Sequence, residues 1–491
     1  MALSNIAPAR VVGRARHTGA RIPWLFGLAA IVISVGAGFA VGKGGLMSLL
    51  ATALALGSLG TVAGWAILRR VVASGAIAVE IPIVLLLLSA SVIRQRDAQS
   101  LAENPLDAAG MYRVLFVGTA LFLALLALTG SHRATDIGAR LTSRPFRMFC
   151  AYIGVVFIGA GLSINVPLTA YRGVELLTAA LVVVGGYRLA GARAVPRILG
   201  LLYWWTVGSA IVVWLGTVLY PGEGMYRIDS PLPWQIKGIN PVISSNGVGT
   251  IGAVLAIWSV ALLVSKREDL SRTRWTAPIA VLGFVTLIFA QYRTGYVATA
   301  LGLLILLGLR KRVTMAGVAV IAVVTATLWG ATLLREAEPF ALRGQTVDRA
   351  ALLSSRLSWW SAAIPVWQES PIIGTGLLTG TRFLVLAEIG RTETSTIHGT
   401  WVEALVGTGV LGTACLLAFF VTTGARAFRE ALRGGRVVPA LLVSILAVRS
   451  VTGPTFEAGG WFTVLVLILA LSLRDGPQPA RDAIEVVERT A

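Results

Sequence analysis

The sequence predicts an all-α integral membrane protein of about fourteen transmembrane helices (12–14), with a large polar segment before the twelfth. Three observations carry this. The chain is 56% hydrophobic and only 13% charged, with mean hydropathy +0.79, where a soluble domain carries roughly 25% charged residues. Apolar runs recur along its whole length, each close to the ~20 residues that cross a bilayer core of about 30 Å. The net charge of +19 can be placed on one side of the membrane.

In order, the expected spans are 23–42, 46–68, 71–93, 114–131, 148–164, 167–187, 198–220, 244–264, 276–292, 295–309, 313–334, 399–421, 437–452 and 460–473. The first lacks a small-x-small cleavage site before Lys43 and is read as a span, not a signal peptide. A tight turn separates the two runs around "FAQYRTGYVATA", so that pair is the weakest. Cys150 and Cys415 fall inside spans and read as packing residues. The resulting organisation is a basic cytoplasmic N-terminus 1–22, transmembrane helices over 23–334, an outer segment 335–398, three further helices over 399–473, and a cytoplasmic tail 474–491.

Orientation follows from charge. Arg10, Arg14, Arg16 and Arg21 precede the first span and favour an inner N-terminus. Alternating from there, segments 1–22, 69–70, 132–147, 188–197, 265–275, 310–312, 422–436 and 474–491 are cytoplasmic. They hold 27 of the 42 Lys and Arg and 8 of the 23 Asp and Glu, which is 27 − 8 = +19, and leave the remainder neutral. Short arginine loops of this kind suit anionic lipid headgroups, so the pI near 11 does not indicate a nucleic-acid partner. The expected location is the cytoplasmic (inner) membrane of a bacterium, multi-pass, with both termini inside.

The outer face then holds what chemistry the chain offers. Residues 94–113 read as a solvated loop. Residues 221–243 mix Pro and Gly with Arg227, Lys237 and Trp234. In 335–398, the apolar residues Leu357, Trp360, Ile364 and Trp367 are spaced as one helical stripe, with Pro365 inside it; tryptophans favour the membrane boundary, so an interfacial helix is expected. Arg293 stands in the turn of "QYRTGY", where a guanidinium near the membrane is expensive unless functional. Asn246 opens a span behind Ser244 and Ser245, either of which can cap it. Of the histidines His17, His132 and His398, only His398 faces outward, at the mouth of a helix that also carries Glu403.

Other motifs fail. "GFAVGKGG" lacks the first glycine and the final Ser/Thr of a phosphate loop. No H-E-x-x-H, paired C-x-x-C or outer D-x-D is present, so neither a metal nor another cofactor is expected. Ser395 has no nucleophile elbow.

Outside a bacterial cytoplasmic membrane, activated sugars arrive on lipid diphosphates. Transfer from such a donor needs a departing diphosphate stabilised and an acceptor hydroxyl deprotonated. Arginines meet the first need and an imidazole the second, without a metal. The outer cations are Arg227, Lys237, Arg293, Arg335, Arg343, Arg349, Arg356, Arg382 and Arg391.

At this point the residues resemble a family. "RLSWWSAAIPVWQESPIIGTGLLTGTRF", with Arg356, Trp360, Pro371, Gly374 and Gly376, looks like the hallmark of the O-antigen ligase and Wzy-type polymerase family. "IHGTWVEALVGTGVLGT" is similar to its histidine block through His398, Glu403, Gly409 and Gly412, with Gly399 in place of the usual Asn and Val402 in place of the leucine. The segments around Arg293 and Asn246 are similar to two further blocks, all in the family's order over roughly 235–415. The resemblance implies a GT-C-like, metal-independent membrane glycosyltransferase acting on an undecaprenyl-diphosphate-linked glycan donor and a glycan or lipid-linked glycan acceptor. It implies Arg293 on the diphosphate and His398 at the acceptor hydroxyl, with Arg356, Arg227, Lys237, Asn246, Arg382 and Glu403 as substrate-binding residues. Membrane lipids, and a chain-length regulator and flippase of the same pathway, are the expected partners. The motifs are shared by polymerases of surface polysaccharide, the favoured reading, and by ligases that move a finished glycan to lipid A core or protein. A flippase or other transporter has a similar span count; its mid-membrane charges would be Glu80 and Glu175, both expected nearer the outer ends of their spans.

Overall fold

The computed structural model describes residues 76–91, 107–129, 137–228, 232–239, 242–310, 356–391, 396–456 and 458–473. The expected spans 23–42, 46–68 and 313–334, the segments 1–22 and 474–491, and residues 335–355 with Arg335, Arg343 and Arg349 lie outside the described residues.

The described part is mostly helical. The helices are α1 (Ala76–Ser91), α2 (Ala108–Thr129), α3 (Arg144–Ala160), α4 (Val166–Ala190), α5 (Ala194–Leu219), α6 (Ser245–Val264), α7 (Thr276–Ala290), α8 (Arg293–Arg310), α9 (Arg356–Glu369), α10 (Thr400–Leu432), α11 (Val438–Thr452) and α12 (Trp461–Ser472). Among the described residues, four segments are long and apolar enough to cross a membrane, namely Ala109–Leu128, Val166–Leu219, Ser245–Val264 and Thr400–Leu432. Val166–Leu219 comprises α4 and α5, separated at Gly191, whose φ is +58°. The remaining apolar helices Val79–Ser91, Thr276–Ala290, Arg293–Leu309, Val438–Thr452 and Trp461–Ser472 are shorter.

Local sequence explains the helix ends. Leu168 N–H donates to Asn165 Oδ1 at 3.1 Å, capping α4, and Gly247 N–H donates to Ser244 Oγ at 3.3 Å, capping α6. Pro145 lies in the first turn of α3, where a missing N–H costs nothing. Gln291 ends α7 in the left-handed conformation, so the chain reverses within two residues into α8. Between α5 and α6 lie two small antiparallel pairs, Met225–Arg227 with Trp234–Ile236, and Gly238–Ile239 with Val242–Ile243.

Several segments expected inside meet one another. Arg436 pairs with Asp269 and with Glu430, each at 2.5 Å. Glu268 accepts the N–H groups of Val437 and Val438, and Arg267 donates to the Gly434 carbonyl. Arg140 donates to the Leu471 carbonyl at the end of α12.

The structure bears on three expectations. Glu80 forms a two-pronged pair with Arg197, at 2.5 and 2.7 Å, so Glu80 near an outer end and Arg197 in an inner segment do not hold together. The helix that carries the span expected over 399–421 runs on to Leu432 and is interrupted at Gly409 (φ +62°, ψ −169°). The stripe read on α9 as a surface-lying face is divided between exposed and partly covered residues. Leu357 and Ile364 are exposed, whereas Ala363 and Val366 are buried, with Trp359, Trp360 and Trp367 partly covered.

Candidate active site

The site is assembled around the interruption in α10. Helical bonding fails at Gly409, and the orphaned backbone groups are met by the segment that precedes the site in sequence. Thr375 N–H donates to Val406 O (2.9 Å) and Gly376 N–H to Gly407 O (3.0 Å); in return Val410 N–H donates to Pro371 O (2.8 Å) and Leu411 N–H to Ile372 O (3.2 Å). "PIIGTG" therefore runs as a backbone splint along the broken helix. Glycine is required because the backbones touch. A Cβ on Gly374 (φ +81°) would lie 2.5 Å from the Gly407 carbonyl carbon, and one on Gly409 would lie 2.3 Å from Ile372. If α10 spans a bilayer, this depth forbids unpaired backbone. Residues 371–376, expected in an outer loop, are then a re-entrant segment.

From the splint the chain passes Leu378 (φ +66°) into one π-helical turn, Thr381–Val385, which carries Arg382. Such turns often mark functional positions. The turn is tied to α4 and the loop before it by three mutually bonded hydroxyls: Ser163 Oγ lies 2.7 Å from Thr169 Oγ1 and 2.8 Å from Thr379 Oγ1, and the two threonines are 2.8 Å apart. Arg382 is thereby held, 7% exposed, in the wall of a cavity of about 450 Å³.

That cavity gathers residues from most of the chain. Arg113 of α2, Arg172 and Glu175 of α4, Arg382 and Arg449 of α11 line it, with Thr396 beside them. Trp205, Ile251, Val254 and Phe462 supply apolar wall. Among the described residues, four guanidinium groups face one carboxylate, a positive lining suited to a di- or trianion. Arg449 is fixed by three contacts: it donates to Thr250 Oγ1 (2.5 Å) and to the Pro454 carbonyl (3.1 Å), and lies 4.6 Å from the centre of the Phe462 ring. Thr250 in turn donates to the Asn246 carbonyl (2.9 Å).

His398 stands beside this chamber, not in its wall. Thr396, which does line it, places Oγ1 3.4 Å from His398 Nδ1, and the Trp359 ring stacks on the imidazole at 5.7 Å and 26°. The residue is in the left-handed region (φ +57°), a conformation that costs a side-chain-bearing residue and marks functional sites. Its flanks hold it there. Glu403 Oε1 accepts the Ile397 N–H at 2.8 Å, Trp360 Nε1 donates to Ile397 O at 3.1 Å, Thr400 Oγ1 donates to Gly453 O at 2.8 Å, and Trp401 Nε1 donates to Ser450 Oγ at 3.0 Å. The same packing bears on Gly399: a Cβ there would lie 3.0 Å from Trp360 Nε1, so the family's Asn requires that indole to shift by a few tenths of an ångström. Burial, followed by the nearby Arg356 and Arg449 charges, lowers the His398 pKa to about 4. The imidazole is neutral at physiological pH, ready to accept a hydrogen bond.

The other residues named from sequence are distributed as follows. Arg356 opens α9 close enough to act electrostatically on His398, but does not line the cavity. Glu403 is fully buried and accepts the Ile397 N–H, one residue before His398; it does not line the cavity. Arg293 opens α8, and its neighbour Thr294 accepts a hydrogen bond from Thr452 at 3.0 Å, so it sits by the end of α11 but outside the cavity lining. Asn246 acts through its carbonyl on Thr250, and the adjacent Gly247 lines the cavity. Arg227 and Lys237 are not brought to the cavity; both are exposed, stacked on Trp234 and Tyr226 respectively. Arg391 is exposed at the end of the described part of that loop.

Arg113, Arg172 and Arg449 were missed. Each was legible only as a lone cation beside or within an apolar run. For Arg172 and Arg449, inside expected spans, the rule that ionisable residues there are costly and usually functional was the available signal.

Comparison with known families gives one match: residues 278–417 match the O-antigen ligase family model. No curated protein matches the chain. The matched segment contains Arg293, Arg356, the splint, Arg382, His398 and the break at Gly409, so it supports the resemblance carried by those motifs.

Proposed function

We propose that this chain, O-antigen ligase-like over residues 278–417, is a GT-C-like membrane glycosyltransferase of the bacterial inner membrane. It polymerises undecaprenyl-diphosphate-linked repeat units into a surface polysaccharide at the outer face. The observation that carries the reading is the cavity lined by Arg113, Arg172, Arg382 and Arg449, with His398 at its edge.

The chemistry follows from these groups. An acceptor hydroxyl attacks the anomeric carbon of the donor glycan. The new glycosidic bond forms as the bond to the diphosphate breaks, and undecaprenyl diphosphate leaves as an anion. Arginines aimed at that anion stabilise the charge where it develops, and their permanent charge requires no metal. His398, neutral, accepts the hydroxyl proton. An imidazole with pKa near 4 is a weak base in the free protein, but the departing diphosphate raises its proton affinity as the reaction proceeds. Arg293 and Arg356 flank the site as further cations for the donor.

The ligase reading uses the same atoms with a different acceptor, and the matched family description favours it as the second reading. Deletion of the gene separates the two. Under the polymerase reading, single lipid-linked repeats accumulate; full-length lipid-linked glycan in the deletion strain means a ligase, and an unchanged glycan profile removes both. The proposed absence of a metal has its own check. Purified protein given the donor in excess EDTA is expected to retain its rate within about twofold, since arginines alone stabilise the leaving group; loss in EDTA with recovery in magnesium contradicts it.

A further inference from the structure

The cavity contains one group that its role toward a diphosphate does not explain. Glu175 lines the chamber, 4% exposed, among four arginines, although a carboxylate repels a phosphate. One of its oxygens, Oε2, accepts from Arg172 Nη1 at 2.5 Å, one turn away on α4. Its height is set by packing: a Cβ on Gly459 would lie 2.3 Å from the Glu175 carbonyl oxygen, so the loop before α12 presses directly on this turn.

We propose that Glu175, oriented by Arg172, accepts hydrogen bonds from sugar hydroxyls of the bound glycan and is a specificity-determining residue. The proposal rests on the reading of the cavity as the site of a diphosphate-linked glycan. An ionised carboxylate offers several acceptor positions and makes stronger bonds to hydroxyls than a neutral acceptor does. The same lining includes Trp205, Trp461 and Ser209, residue types that suit the apolar face and polar edge of a pyranose. None of these residues lies within 278–417. The matched segment brings Leu378, Arg382 and Thr396 to the cavity. The matched segment thus supplies Arg382 and, beside the cavity, His398, whereas Arg113, Arg172, Arg449 and the residues proposed to read the sugar come from helices outside it.

The test uses the full chain in lipid nanodiscs and two probes: undecaprenyl diphosphate without sugar, and the lipid-linked glycan extracted from a strain lacking the gene. Glu175→Gln keeps the size of the side chain and can still accept from Arg172. It is expected to weaken binding of the glycan-bearing lipid by about 10- to 100-fold, the scale of a lost hydrogen bond to a charged group, and to leave the sugarless lipid unchanged within about twofold. Arg449→Gln is expected to weaken both. Equal weakening of both probes by Glu175→Gln, or of neither, overturns the proposal while the diphosphate reading stands. Wild-type protein that binds neither probe overturns that reading as well. If Glu175→Gln does not accumulate, Glu175→Asp is measured in the same way. Failure of both variants to accumulate assigns the carboxylate to folding and overturns the proposal.

Discussion

His398→Ala is expected to lower glycan transfer by about 10²- to 10⁴-fold, the usual contribution of a positioned proton acceptor, while the protein still accumulates in the membrane. The effect on folding is small because the neighbouring backbone is fixed independently by Glu403, Trp360, Thr400 and Trp401. His398→Gln, which can accept a hydrogen bond but not a proton, should retain more activity if the residue orients the hydroxyl. The pH profile supplies a second readout. The active form is neutral, and the pKa is lowered to about 4. The rate therefore stays flat as pH falls from 7 through the ordinary histidine range, and drops only near 4 in kcat/KM, which reports the free protein. In kcat the acid limb should lie higher, because the bound diphosphate anion favours the protonated ring. A limb near 6.5 in kcat/KM, or full activity in His398→Ala, sinks this assignment.

Gly409→Ala is expected to prevent stable folding of the site. The substitution places a Cβ 2.3 Å from the Ile372 carbonyl carbon at a φ of +62°. Neither neighbour can retreat, since both belong to the splint. At φ +62° and ψ −169° the backbone occupies a region that essentially only glycine adopts, at a cost of about 1–3 kcal/mol for a residue with a side chain, and the clash adds to it. Gly390→Ala is the control: φ is +68° there also, but no atom lies within 4 Å of the added Cβ. Thermal unfolding in detergent should show a large loss for Gly409→Ala and a small one for Gly390→Ala. Comparable losses would mean that backbone conformation, not the splint contact, governs both positions.

The helices were legible because an apolar run of spanning length has few alternatives. The described helices fall close to the spans expected for their stretches. The stripe of α9 was legible as apolar, and Leu357 and Ile364 are exposed as a surface-lying face requires. That Ala363 and Val366 form its packed side was not legible, because periodicity identifies a buried face only when water lies on the other side. The cavity was illegible for a different reason. Arg113, Arg172 and Arg449 come from α2, α4 and α11, and nothing local in the sequence says that these helices adjoin. The glycines of "PIIGTG" and "VGTGVLG" were legible as a pattern, while their meaning, two backbones in contact, required coordinates. Gly399 is similar: the departure from the family pattern was visible, and the Trp360 indole that a side chain there would meet was not.

The splint also has a consequence for biogenesis. Residues 371–376 leave the ribosome before 406–411, so the strand that will satisfy the broken helix exists before the break does. A translocating segment bearing exposed amides at Gly409 would partition poorly into lipid on its own. Here it can enter against a partner already delivered to the membrane. If α10 spans a bilayer, its insertion is a templated event, dependent on the loop before it. A chain cut between 391 and 396 and expressed as two pieces should assemble only when the upstream piece is made first.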